Sequence, residues 1–205
     1  MILKKILPET HGVEISIEYA TPNNFTGQPI YHRAACYLHP EAEKLLCKAV
    51  EVAKTFSLKL KIFDAFRPSE AQWVLWKHSP NPDFLADPHA GSPHSRGAAI
   101  DLTLIDMNGL ALDMGTTFDA FTTRSHHGNM EVSKEAQYNR ALLMGIMTIA
   151  GWDFYRNEWW HYQLFNAKRF PLLEIHFLSP LPLPPVCSSA TIHNGDKIFL
   201  CLISR

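Results

Sequence analysis

The chain has 205 residues, 46% of them hydrophobic, which is enough to bury one sizeable core and too few for two full domains of ordinary size. Its 19 Lys and Arg balance 20 Asp and Glu, so the phosphate-neutralising surface of a nucleic-acid binder is excluded and a small, roughly neutral partner stays open. No run approaches the roughly 20 apolar residues of a membrane span, and Pro8, Glu9 and His11 interrupt the N-terminal stretch before a signal-length apolar segment forms, so the expectation is a cytoplasmic protein with no membrane partner.

The segment from His39 to Phe56 gathers Leu45, Leu46, Ala49, Val50, Val52, Ala53 and Phe56 near one face and predicts an amphipathic helix, with Pro40 in its first turn, where a missing N–H is harmless. Ser57 to Ile62 alternates polar and apolar residues and predicts a strand whose end delivers Asp64-Ala65-Phe66-Arg67-Pro68. Ser69 is the expected N-cap of a short helix through Trp73, Leu75 and Trp76. A Pro-rich loop follows from Ser79 to Pro93, a length at which loops often carry function. Gly97 to Leu104 predicts a second strand, with Ile100, Leu102 and Leu104 on one face and Ala99, Asp101 and Thr103 on the other.

From Ser133 to Ala150 the spacing of Ala141, Leu142, Ile146, Ile149 and Ala150 predicts the second long helix, stopped by Gly151. Trp152 to Phe165 reads as one or two strands with a turn at Asn157. Cys36, Cys47, Cys187 and Cys201 are spread without a C-x-x-C pair, which argues against a thiolate zinc site or a disulfide framework. After Leu173 the pattern loosens, and Leu181-Pro182-Leu183-Pro184-Pro185 must be extended, so one domain over 1–173 with a peripheral extension over 174–205 is expected.

The chemistry concentrates in two blocks. Ser92-Pro93-His94-Ser95-Arg96-Gly97-Ala98-Ala99-Ile100-Asp101 sets an imidazole at a loop end seven residues before a carboxylate on a strand, both good zinc ligands. An odd separation points two side chains to opposite faces of an ideal strand, so His94 must lie in an irregular lead-in, for which Gly97 supplies the freedom. Glu158-Trp159-Trp160-His161 adds a third ligand with a carboxylate three residues before it, and here too a bulge or turn must bring the two together. Two histidines and one carboxylate leave a fourth position of tetrahedral zinc for water, the arrangement of a catalytic site.

These blocks resemble the S-x-H-x-x-G-x-A-x-D plus E-x-x-H pattern of the D-alanyl-D-alanine dipeptidases, a branch of the zinc D-Ala-D-Ala metallopeptidases. Ser92, His94, Gly97, Ala99, Asp101, Glu158 and His161 match without a gap inside either block. Phe63 to Pro68 resembles the family's arginine-bearing segment, and Met114 to Asp119 with Arg124-Ser125-His126-His127 resembles its substrate-side stretch, so that the likeness runs over roughly residues 10 to 173. It implies an α+β fold, a central antiparallel sheet with helices packed against it and a hedgehog/D,D-peptidase-like zinc site, with one Zn2+ per chain held by His94, Asp101 and His161.

A zinc ion brings the pKa of its water to about 7 and polarises a carbonyl. Glu158, beside it and outside the ligand set, is the expected general base and then general acid, the alternative being a carboxylate that merely orients His161. The resemblance assigns oxyanion stabilisation to Arg67, the substrate ammonium to Asp119 and a hydrogen bond near the substrate to Ser92. The bland alternatives are a surface ion pair, a turn residue and a loop hydroxyl. His126 and His127 are expected outside the ligand set, and Trp159 and Trp160 in the core and pocket wall.

The function implied is hydrolysis of the D-alanyl-D-alanine dipeptide to two D-alanines. The alternatives are a peptidoglycan D,D-carboxypeptidase or endopeptidase of the same family, or a degenerate zinc-binding domain used for recognition, which loss of the general base would mark.

Overall fold

The computed structural model describes residues 3–173; the extension expected over 174–205, with Cys187 and Cys201, lies outside the described residues. The elements in chain order are strand β1 (Lys4–Ile6), helix α1 (Pro8–His11), strands β2 (Glu14–Ile15) and β3 (Cys36–Leu38), helix α2 (Pro40–Thr55), strand β4 (Lys59–Asp64), helix α3 (Ser69–His78), strand β5 (Ala99–Ile105), helix α4 (Lys134–Ala150), and strands β6 (Asp153–Phe154) and β7 (His161–Gln163). Five strands form one sheet in the order β2-β4-β5-β7-β6, and β1 pairs with β3 apart from it. The fold is α+β as expected; the central sheet is antiparallel except for the parallel β2–β4 pair at its edge.

The long helices begin and end where local chemistry says they should. The His39 ring caps α2 by accepting the Glu41 N–H, with Pro40 at the first helical position, and Ser133 caps α4 by accepting the Ala136 N–H. Gly151 ends α4 at φ 107°, a left-handed conformation that suits glycine. The short helix α3 differs from expectation. It starts at Ser69 with Pro68 as its cap, whose carbonyl takes the Gln72 N–H and whose ring has no acceptor for a side-chain cap bond. The first strand also sits two residues later than its alternation suggests. Ser57 (φ 55°) and Leu58 turn back onto the end of α2 through bonds to Lys54 and Ala53.

Helices α2 and α4 pack on each other and on the sheet. Leu46, Ala49 and Ala53 from α2, and Leu143, Ile146 and Met147 from α4, share a core with Ile62, Ile100, Leu102 and Leu104. Burying each large aliphatic side chain there contributes about 1.5–3 kcal/mol. Ala141 and Ile149, expected on the buried face of α4, are exposed; Asn139 and Arg140 are buried instead. No helix among the described residues is long and apolar enough to cross a membrane.

What positions the site is register. Ile62 lies opposite Leu102 and Leu60 opposite Leu104, all on the helix-facing side, so unbroken alternation would carry Asp64 to that same apolar side. The register instead shifts by one between Ile62 and Asp64, and Asp64 comes to lie opposite Asp101. A β-bulge thus rotates a carboxylate from the core to the far face. On the other flank of β5, His161 is directly opposite Asp101 while Tyr162 pairs with Ile100 towards the core. Asp64, Asp101 and His161 therefore stand in one row across three strands on the face away from α2 and α4.

Candidate active site

His94 reaches this row from a 3-10 turn, His94–Arg96, which ends at Gly97 with φ 65°. The irregular lead-in required by the odd spacing is this turn. A side chain at Gly97 would be strained by its positive φ, and its Cβ would fall 2.6 Å from Leu3 Cδ2 and 3.1 Å from the His39 backbone nitrogen. Gly97→Ala is expected to destabilise the protein by about 1–3 kcal/mol, read as a lowered midpoint in urea; an unchanged midpoint would show that the turn relaxes freely. Glu158 and His161 are brought together by a turn and not by a bulge. The Glu158 N–H bonds to the Tyr155 carbonyl and the His161 N–H to that of Glu158.

Three atoms converge: His94 Nε2 lies 3.1 Å from His161 Nδ1, His161 Nδ1 lies 3.0 Å from Asp101 Oδ1, and His94 Nε2 lies 3.4 Å from Asp101 Oδ1. The other nitrogen of each ring has its own acceptor, Ala65 O at 2.7 Å for His94 Nδ1 and Gln163 Oε1 at 3.1 Å for His161 Nε2. Neutral imidazole has one N–H, and with it placed on these outward acceptors both inward nitrogens present lone pairs. Two lone pairs and a carboxylate oxygen at such distances repel one another unless a cation lies between them. Tetrahedral bonds of about 2.0–2.1 Å set ligand atoms about 3.3 Å apart, close to the triangle seen. Among the described residues these three form the one group of His, Cys, Asp or Glu suited to hold an ion, and all three are buried. His126 and His127 stand outside it, as do the free Cys36 and Cys47.

The residues fit a divalent ion by charge as well. Asp64, Asp101, Asp119 and Glu158 are all buried with one guanidinium, that of Arg67, among them, and a dication would relieve the repulsion between these carboxyl groups. Glu158 Oε2 lies 3.8 Å from His161 Nδ1. Burial, followed by the Asp101 and Asp119 carboxylates, pushes the Glu158 carboxyl well above the usual range, against the pull of Arg67.

Arg67 is no surface ion pair. Its Nε and Nη2 both lie 2.9 Å from Asp64 Oδ2, Nη1 donates to Gln72 Oε1 at 2.9 Å, and Nη2 lies 3.5 Å from Asp101 Oδ2. Its guanidinium carbon sits 4.8 Å from the centre of the Tyr19 ring. Burial works against its charge, yet the surrounding Tyr19, Asp64, Tyr31 and Asp101 raise its pKa well above that of an ordinary arginine.

Asp119 is buried with φ 58°, a left-handed conformation that Asp tolerates better than most residues. Its Oδ1 accepts from the Tyr19 hydroxyl at 3.1 Å, while Oδ2 is buried with no hydrogen-bond partner. Burial and the Asp101 carboxylate push this carboxyl well up, so the site favours a cationic partner. Ser92 lines the same cavity, and its hydroxyl accepts the His94 N–H at 3.2 Å, which orients the loop carrying the imidazole.

Arg67, Ser92, His94, Asp101, Asp119, Glu158 and His161, the residues to which the sequence assigns a role, all line one cavity of about 250 Å³. Phe84, Phe121 and Trp160 are among its apolar walls. Trp159 lies elsewhere, donating from its indole to Thr116 Oγ1. Sequence reasoning missed Tyr19, Asp64, Gln72 and Gln163. Asp64 alone carried a signal, three residues before Arg67 in the segment already marked.

Comparison with known proteins identifies the family. The profile of the D-ala-D-ala dipeptidase family, Peptidase_M15, matches residues 3–178. A D-alanyl-D-alanine dipeptidase of Escherichia coli (strain K12) is 46% identical over 165 residues, which cover 80% of this chain and 86% of that protein. One of Enterococcus faecium is 38% identical over 175 residues, 75% of this chain and 87% of the relative, and one of Enterococcus faecalis is 30% identical over 177 residues, 76% and 88%. The chain therefore belongs to the D-Ala-D-Ala dipeptidase family of metallopeptidases.

Proposed function

We propose that the protein hydrolyses the free dipeptide D-alanyl-D-alanine to two D-alanines, using one zinc ion held by His94, Asp101 and His161. The observation that carries this reading is the unpartnered Asp119 Oδ2, buried in the same small cavity as the ligand triangle and Glu158. A buried carboxylate without a partner is expensive, and a free peptide ammonium supplies one. The cavity lies below the usual range of about 300–1,000 Å³ for drug-sized ligands, which suits a substrate of two small residues.

When bound, the metal supplies Lewis-acid polarisation of the scissile carbonyl and acidifies a water. Glu158 takes a proton from the attacking water and passes it to the leaving amine. Arg67, fixed by Asp64 and Gln72, donates to the carbonyl oxygen as negative charge builds there. Asp119, steadied by Tyr19, holds the ammonium, and Ser92 keeps His94 in place. The second reading, a D,D-carboxypeptidase acting on peptidoglycan stems, gives the Asp119 oxygen no positive partner.

The test is amino-acid release from D-Ala-D-Ala, L-Ala-L-Ala and a tripeptide ending in D-Ala-D-Ala, with and without a chelator. Release from the first alone, abolished by the chelator, is expected; equal release from the tripeptide would overturn the reading. The purified protein is expected to carry about one zinc per chain by elemental analysis, and His94→Ala, Asp101→Ala and His161→Ala each to lose most of it. Full occupancy in all three variants would remove the ligand assignment.

A further inference from the structure

Arg140 is a buried guanidinium that the chemistry above does not use. Its Nε donates to Met114 O at 2.7 Å, and Nη1 donates to Arg124 O at 2.8 Å and His126 O at 3.2 Å. No carboxylate lies within ion-pair distance of it among the described residues. A charge buried against main-chain carbonyls is costly, and what it fixes here is the path of the loop from Met114 to His126.

That loop grips the Glu158 turn from both sides. The His127 N–H donates to Arg156 O at 2.9 Å, and the Ser125 carbonyl accepts the Trp159 N–H at 3.1 Å. The His127 ring lies beside the Glu158 backbone, its Nε2 buried without a hydrogen-bond partner, and packs edge-on between Phe154 and Tyr162. The Trp159 indole is tied in as well, through Thr116 Oγ1, which lies 3.1 Å from Ser125 Oγ. Burial, with the Arg140 charge adding to it, lowers the His127 pKa to about 4, so the ring is neutral at physiological pH.

We propose that Arg140, acting through the segment from Arg124 to His127, is a positioning residue that sets the placement of Glu158 for proton transfer. The inference rests on Glu158 being the general base. A backbone turn held at residues on either side of a side chain fixes where that side chain starts, and a displacement of about 1 Å at a reacting group can cost a hundredfold in rate.

The experiment compares Arg140→Met and His127→Phe with the parent protein, measuring zinc per chain, kcat and KM on D-Ala-D-Ala, and the same substitutions combined with Glu158→Gln. Both single variants are expected to keep their zinc and a KM within about threefold, and to lose about tenfold or more in kcat per bound zinc. In the Glu158→Gln background the same changes should cost less than about twofold, because a residue that acts through Glu158 has nothing left to act on. Ile146→Val, which loosens α4 without touching the loop, should leave kcat per zinc unchanged. If Arg140→Met does not fold, Arg140→Gln, whose amide can still donate to one loop carbonyl but not to all three, takes its place. A kcat unchanged in the folded variants, or an equal loss with and without the Glu158 carboxylate, would overturn the positioning role. A Glu158→Gln protein with full activity would instead refute the general base on which it rests.

Discussion

Glu158→Gln is expected to retain about one zinc per chain and to lose about 10²- to 10⁴-fold in kcat, the range that a positioned general base contributes, or about 3–5 kcal/mol in the transition state. Glutamine keeps the shape of the side chain and removes its ability to take a proton. The metal should stay because its three candidate ligands are other residues, and because Glu158 Oε2 stands 3.8 Å from His161 Nδ1, outside the triangle. Burial and two neighbouring carboxylates already raise the basicity of Glu158 above that of an exposed glutamate, which suits a group that must carry a proton from water to an amine. The measurement is elemental analysis alongside steady-state kinetics. Zinc lost in proportion to activity would make Glu158 a ligand or its prop and remove the general-base role.

The second large effect concerns the amine end of the substrate. N-acetyl-D-Ala-D-Ala is expected to be cleaved at least roughly a hundredfold more slowly than the free dipeptide, about 2.7 kcal/mol in the transition state. Acetylation removes the positive charge that would meet Asp119 Oδ2 and leaves that oxygen buried beside Asp101 and Glu158 without a partner. Asp119→Asn is the informative substitution. Asparagine tolerates the positive φ at this position and can still accept from Tyr19, so the backbone should hold while the charge goes. The variant should narrow the gap mainly by slowing the dipeptide. Comparable rates on the two substrates in the parent protein would move it to the carboxypeptidase reading.

Much of the scaffold was legible because it follows local rules. The two long helices announce themselves by period and caps, and the histidine and glutamate blocks by chemistry and spacing. Even the need for an irregular lead-in at His94, and for a bulge or a turn before His161, follows from counting residues along a strand. What was not legible depends on partners distant in the chain. The bulge that turns Asp64 towards Asp101 is a one-residue slip between β4 and β5, and the alternation up to Ile62 gives no warning of it. The Tyr19–Asp119 bond joins residues 100 apart in sequence. Strands β1, β2 and β3, of two or three residues each, are too short for a periodic signal. Ile149 fits the helical period and is exposed nonetheless, because the face of α4 towards the sheet is fixed by Leu143, Ile146 and Met147.

The triangle also bears on how the chain folds. Two of its corners, Asp101 and His161, are directly paired residues of β5 and β7, and the third, His94, is 67 residues from His161. An ion joining them acts as a reversible cross-link that closes a long loop through the middle of the sheet. The three atoms come within reach of one another only when β5 and β7 are in register, so a bound ion and that strand pairing would stabilise each other. The free concentration of the ion would therefore become a variable of stability: a native state that binds it more tightly than the unfolded chain gains RT ln(1 + [L]/Kd), about 2.7 kcal/mol at a hundredfold excess over Kd. Stripping the ion would then lower the unfolding midpoint as well as the activity.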